Sequence, residues 1–285
     1  MSRTAQLSDS SAEPITFELP SGRIAALRAG ADDAPDVLLV PGYTGSKEDF
    51  APILDALAEL GLRATAIDLP GQFESPGPED PAEYTPVRLA RCLLEIAALS
   101  DRPVHLVGHS FGGLVARAAV IDEPSRFADL VLMDSGPAAI EGMRRSRIDA
   151  LEPALQLGLP GLWDAMQAAL ATEPGYVAAP DDIATFLQKR FLGGSLAMLE
   201  GMGNAIRTEP DRVDELRATG VRMLVMHGTD DDAWPPPVQD EMARRLGVPC
   251  VVVPDAGHSP AVENPEATVA VLRDFWQASL EHEHG

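Results

Sequence analysis

Cysteine is nearly absent from this chain, with only Cys92 and Cys250 among 285 residues. Two thiols cannot form the disulfide framework of a small secreted domain. Cys92 falls in a helical pattern and Cys250 opens an apolar strand, so both are expected to be buried free thiols in a reducing compartment. Positive charge is also scarce: 22 Lys and Arg face 44 Asp and Glu, a formal charge of −22. Such a field repels polyanions, so neither nucleic acid nor an anionic membrane is an expected partner. No apolar run approaches the length of a membrane span. The first twenty residues lack the apolar stretch of a secretory signal, and a cytoplasmic location is expected. No internal repeat is visible. The C-terminal Glu281 to Gly285, with His282 and His284, reads as a polar tail rather than a metal site.

The most informative stretch is Val104-His105-Leu106-Val107-Gly108-His109-Ser110-Phe111-Gly112-Gly113. It sets a G-x-S-x-G pattern between a short apolar strand and a helix-forming run, Leu114 to Val120. A turn this tight would clash with side chains two residues before and after the serine, and Gly108 and Gly112 stand there. Ser110 would project from the N-terminus of a helix, where backbone N–H groups point outward. It is the candidate nucleophile.

Around this elbow the chain alternates strands and helices. Ile15 to Leu19 and Arg23 to Arg28 read as an antiparallel hairpin across Ser21-Gly22. Val37 to Val40, Arg63 to Leu69, Leu130 to Met133, Val221 to His227 and Cys250 to Val253 read as strands, most of them apolar enough to be buried on both sheet faces. Helical patterns cover Asp49 to Leu60, Pro86 to Leu99, Val238 to Leu246 and Pro265 to Leu280. Residues 138–209 lack strand signals and carry amphipathic helices broken at Pro153, Pro160, Pro174 and Pro180. The expected fold class is α/β, a mostly parallel doubly wound sheet with an inserted all-helical cap. Its expected boundaries are 1–137 and 210–285 for the two parts of the core and 138–209 for the cap.

On these residues the chain resembles the α/β-hydrolase family over nearly its whole length. Members carry a nucleophile, an acid and a histidine in that order. His258 lies in Asp255-Ala256-Gly257-His258-Ser259-Pro260, between the last strand and the last helix. It matches the family's histidine, which serves as general base. His105, His109 and His227 compete for the role, but their places in strands and in the elbow suit structural duties better. Three aspartates, Asp230, Asp231 and Asp232, follow His227-Gly228-Thr229. The family spacing G-x-x-D-x-x-x-P, counted from Gly228 to Pro235, selects Asp231 to orient the histidine. Asp134, after the preceding strand, is the alternative acid, because some members place it there. The resemblance assigns the oxyanion hole to the backbone N–H groups of Phe111 and Tyr43. Pro41 stands where the family usually has histidine, which removes a usual support of that loop.

These residues imply cofactor-free, metal-free acyl transfer through a Ser110 acyl-enzyme, on a small-molecule ester, lactone or thioester. Family members that are haloalkane dehalogenases or epoxide hydrolases use aspartate at the elbow, and proline iminopeptidases have a different oxyanion loop. Gly42 to Ser46 is similar to a loop in the menaquinone-pathway synthases, so a non-hydrolytic lyase or acyltransferase is an alternative; a ligand-binding receptor on the same fold is another. In the cap, Leu155, Leu159, Leu162, Trp163, Met166, Phe186, Leu187, Phe191, Met198, Leu199 and Met202 recur at helical spacing. About a third of them are expected to line an apolar, adaptable pocket. Arg144, Arg145 and Arg147 read as a solvated helix face. Oligomeric state has no sequence signature here.

Overall fold

Strand residues of this chain divide by parity, and the division builds the molecule. Leu38, Val40, Leu106, Leu130, Leu132 and Val225 share one apolar cluster, while Val37, Leu39, Val107, Val131, Met133, Leu224 and Met226 share another. Successive side chains of a strand point to opposite faces, so a sheet with both faces covered must be apolar at every position. The computed structural model describes residues 7–8, 10–173 and 176–283, with backbone alone from 278 onward. The start of the expected leader, the Pro174 break, the His282 side chain and residues 284–285 lie outside the described residues.

The strands are β1 (Glu13–Leu19), β2 (Gly22–Ala29), β3 (Asp36–Val40), β4 (Arg63–Ile67), β5 (Val104–His109), β6 (Phe127–Met133), β7 (Arg222–Gly228) and β8 (Cys250–Val253). They form one eight-stranded sheet in the order β1-β2-β4-β3-β5-β6-β7-β8. The hairpin β1–β2 and the β2–β4 pair are antiparallel, and all other pairs are parallel. One face carries α1 (Ala51–Glu59) and α10 (Pro265–Glu283). The other carries α2 (Pro86–Ala97), α3 (Phe111–Asp122), α8 (Val213–Ala218) and α9 (Pro236–Leu246). The chain runs from β3 outward to β4, then returns past β3 to β5. That reversal opens a crevice at the carboxyl ends of β3 and β5, the place where open α/β sheets take ligands. The α/β class expected from sequence is the one observed.

Between β6 and β7 the chain is helical: α4 (Gly142–Leu151), α5 (Gly158–Ala171), α6 (Asp181–Gly193) and α7 (Leu196–Thr208). Pro160 sits in the first turn of α5, where its missing N–H would have no helical partner anyway, and Pro180 caps α6. The segment α8 is a helix the sequence did not announce. Its six residues are too short for a clear amphipathic period.

This helical block is tied at its root. Ala139 N–H donates to Glu209 O at 2.8 Å and Ile140 N–H to Ile206 O at 2.9 Å, so the two connecting segments pair with each other. Beneath them Arg117 of α3, almost wholly buried, donates to Pro137 O at 2.5 Å and to Glu209 Oε1 at 2.7 Å. Arg117→Leu would strand the Glu209 carboxylate in a buried setting, and removing one partner of such a pair costs about 3–5 kcal/mol. Urea unfolding should show that loss, with part of it recovered in Arg117→Leu/Glu209→Leu; an Arg117→Leu protein as stable as the parent contradicts the anchor.

Candidate active site

Three strand ends converge on the crevice. The elbow after β5 holds Ser110 at φ 55° and ψ −122°, a strained conformation that lifts the side chain off the turn. Its N–H donates to Met133 O at 2.9 Å, pinning the turn to β6. A Cβ on Gly108 would lie 2.6 Å from Gly112 O, and one on Gly112 would lie 2.4 Å from Val40 O. Neither position can accept a side chain without moving backbone.

His258, after β8, brings Nε2 to 2.9 Å from Ser110 Oγ and Nδ1 to 2.8 Å from Asp231 Oδ1. The sequence-expected Ser110, His258 and Asp231 therefore form one continuous hydrogen-bonded chain. Glu263 clasps the histidine loop, accepting from Gly257 N–H at 2.7 Å and Ser259 N–H at 3.1 Å. From the other side His109 Nε2 meets His258 O at 2.6 Å. Burial first, and then the nearby His258, push the His109 pKa down to about 4, so its ring stays neutral. A neutral ring against a carbonyl must carry its proton on Nε2 and donate.

Asp231 is buried. Its Oδ1 also accepts from Ala233 N–H at 2.8 Å, and its Oδ2 accepts from Gln239 Nε2 at 2.7 Å. Burial acts to raise its pKa, but the His258 and Ala233 donors outweigh it and hold the carboxyl below its usual value. Asp134 is different. It is fully buried at φ 47°, its Oδ1 accepts from Gly228 N–H at 2.9 Å, and its carboxyl faces that of Asp231. Burial, then the Asp231 charge, raise its pKa well above the usual carboxylate value, which favours the neutral form. The carboxylate that accepts from the His258 ring is that of Asp231, the middle of the three consecutive aspartates.

The flanking aspartates have separate duties. Asp232 pairs with Arg144 and, at 3.0 Å, with Arg147. Both come from α4, so two of the arginines read as a solvated face instead join the helical block to the acid loop. Arg190 of α6 makes a second tie, 2.7 Å from Asp49 in the loop after β3. The backbone N–H of Asp230 donates to Ala256 O at 3.1 Å. Among the remaining histidines, His105 meets Asp129 at 2.9 Å in the sheet, and His227 is buried beside Gly228 O. His227, Asp240 and Cys250 place ligand atoms within 4.8 Å of one another, as do Asp134, Asp231 and His258. Cys92 is buried as expected, whereas Cys250 is only half-buried.

Across the crevice, the loop Pro41 to Ser46 presses on the elbow. A Cβ on Gly42 would sit 3.0 Å from Ser110 Cβ and 3.3 Å from its Oγ. Thr44 turns the loop at φ 66°, and Gly45 N–H closes it onto Gly42 O at 3.0 Å. Tyr43 donates its hydroxyl to Leu199 O of α7 at 2.7 Å. Phe111 opens α3, among the first N–H groups of a helix that lack helical partners, and its ring is buried in the core.

Ser110 and His258 open into a cavity of about 360 Å³. A second cavity of about 470 Å³ lies under the helical block and shares Tyr43, Thr44, Arg144 and Ile148 with the first. Six of the eleven apolar residues singled out in the sequence reach these cavities: Leu187 in the first, and Leu155, Leu162, Met166, Phe191 and Leu199 in the second. That is more than the third expected, because α4 to α7 enclose space instead of packing solid.

A parallel sheet with a serine on a strained elbow, facing a histidine and a buried carboxylate, defines a class of acyl-transfer hydrolases. The family model for the alpha/beta hydrolase family matches residues 37–271, and the chain belongs to that family. It is an α/β-fold hydrolase. Among curated relatives, a putative carbamate hydrolase from Variovorax paradoxus is 41% identical over 107 residues, covering 37% of this chain and 40% of that protein. A pimeloyl-[acyl-carrier protein] methyl ester esterase from Aeromonas hydrophila is 28% identical over 253 residues, covering 85% of this chain and 95% of that protein. A solved structure from work on carboxylesterases of Nitrososphaera gargenis matches with a TM-score of 0.78 at 20% identity, over 94% of this chain and all of that one. No helix among the described residues is long and apolar enough to cross a membrane.

Proposed function

We propose that this protein hydrolyses small carboxylic esters, lactones or thioesters with an apolar acyl part. The observation that carries the reading is the unbroken chain from Ser110 Oγ through His258 to the buried Asp231 at 2.9 and 2.8 Å. In this reading His258 takes the Ser110 proton as Oγ attacks the carbonyl carbon. The negative charge that develops on the carbonyl oxygen is held by the N–H groups of Tyr43 and Phe111. His258 then gives its proton to the departing alcohol or thiol, leaving an acyl-Ser110 ester. A water, deprotonated by His258, attacks that ester, and the proton returns to Ser110 as the acid leaves. No step uses a cofactor. Residues 138–209 serve as a cap over the core of 1–137 and 210–285, with the acyl chain lying in the apolar cavity beneath α4 to α7.

A series of p-nitrophenyl esters tests this. Each methylene buried in the cavity contributes about 0.8 kcal/mol, so kcat/KM is expected to rise up to roughly fourfold per added CH₂ until the cavity is full. A profile flat across the series contradicts the acyl-pocket assignment. No turnover on any ester, with Ser110 still reactive toward a fluorophosphonate, supports a non-hydrolytic use of the same residues.

A further inference from the structure

The proposed oxyanion donor on the β3 side is the N–H of Tyr43, and its direction depends on one peptide plane. That plane also contains the carbonyl of Gly42. All described peptide bonds are trans, so the carbonyl and the N–H of this unit point in opposite directions. Whatever holds Gly42 O thereby aims Tyr43 N–H. The loop supplies one holder, Gly45 N–H donating to Gly42 O at 3.0 Å, but Gly42 and Gly45 bracket that turn, and glycine lets a peptide plane rotate cheaply, so a donor from outside the loop fixes the plane more firmly. Pro41 stands where the family usually has a histidine.

We propose that Gln72 is the positioning residue for this oxyanion donor, an inference that rests on the hydrolase reading above. Its side chain is buried, and its Nε2 donates to Gly42 O at 2.7 Å. Its Oε1 accepts from Leu69 N–H at 2.9 Å. The amide orientation is therefore over-determined, since exchanging its two ends would set donor against donor and acceptor against acceptor. Gln72 is itself fixed by backbone bonds, its N–H to Leu69 O at 2.9 Å and its carbonyl from Ser75 N–H at 2.8 Å.

The turn that carries Gln72 is anchored to the β3 loop a second time. Asp68 accepts from Lys47 N–H at 2.7 Å and from Lys47 Nζ at 2.9 Å, and Ser75 Oγ donates to Asp68 O at 2.8 Å. The loops after β3 and β4 thus form a cross-tied pair. Rotating the Gly42–Tyr43 peptide would leave the Gln72 amide without its acceptor in a dry site, which is costly for a buried donor. Gln72 touches no reacting atom. It acts by holding in advance a donor that would otherwise have to be oriented during the reaction.

The test is the rate of Ser110 modification by a fluorophosphonate, together with kcat and KM on a p-nitrophenyl ester. Gln72→Met keeps the apolar bulk but removes the donor. Labelling rate and kcat are each expected to fall about 10- to 100-fold, less than the 10²–10³ for deleting an oxyanion donor, with KM within about threefold. Gln72→Glu supplies a second readout. Near pH 8 its carboxylate cannot donate to Gly42 O, while the protonated acid at lower pH can. Its labelling rate relative to the parent should rise as pH falls, and that of Gln72→Met should stay flat. Unchanged labelling in Gln72→Met, or no recovery in Gln72→Glu, overturns the inference while leaving the hydrolase reading intact. A parent protein that is not labelled overturns both.

Discussion

Ser110→Ala is expected to lower ester turnover by about 10⁴- to 10⁶-fold, and His258→Ala by a similar factor. The size follows from the connection between the two groups. A hydroxyl is a weak nucleophile until a base takes its proton, and the only imidazole nitrogen bonded to Ser110 Oγ among the described residues is His258 Nε2 at 2.9 Å. Either substitution therefore removes the same step, and Ser110→Ala/His258→Ala should cost little more than one alone. The Ser110 variant should keep its fold, because the Oγ contact is with His258 while the elbow is held by the Ser110 N–H bond to Met133 O at 2.9 Å. Burst-phase and steady-state kinetics on one activated ester read both results. Additive losses would show that the two residues do not act as a unit.

The second large effect separates two buried carboxyls. Asp231→Asn is expected to cost about 10³- to 10⁴-fold in kcat, since an amide can neither balance the imidazolium charge nor reliably select the histidine tautomer. Asp134→Asn is expected to cost less than about tenfold. Burial and the Asp231 charge push Asp134 toward its neutral form, which an amide resembles in shape and charge. Asparagine can still accept from Gly228 N–H, which Asp134 now does at 2.9 Å. A reversed order, with Asp134→Asn the more damaging, would move the orienting role to Asp134.

Much of the site was legible because its signals are local. Gly108, Ser110 and Gly112 announce a strained turn, and the structure places Ser110 at φ 55°. Spacing from Gly228 to Pro235 separated Asp231 from its two neighbours, and Asp231 is the one at 2.8 Å from the ring. The strands were legible for a related reason, since burial on both faces demands apolar residues throughout. What stayed hidden acts at a distance. Gln72 holds a carbonyl 30 residues away, and a backbone acceptor leaves no mark on sequence. Glu263 and Gln239 likewise bond to a neighbouring loop, and nothing in their surroundings distinguishes them from solvated polar residues. Arg144 and Arg147 misled for the same reason, because their partner Asp232 lies 88 and 85 positions further on.

The proposed mechanism makes Ser110 a nucleophile activated by His258. The most direct test is peptide mapping by mass spectrometry after treatment with a fluorophosphonate. A single phosphonyl adduct on Ser110, lost in His258→Ala although the serine is still present, is the predicted result. An unmodified protein, an adduct on another residue, or labelling of Ser110 that is indifferent to His258→Ala would contradict it.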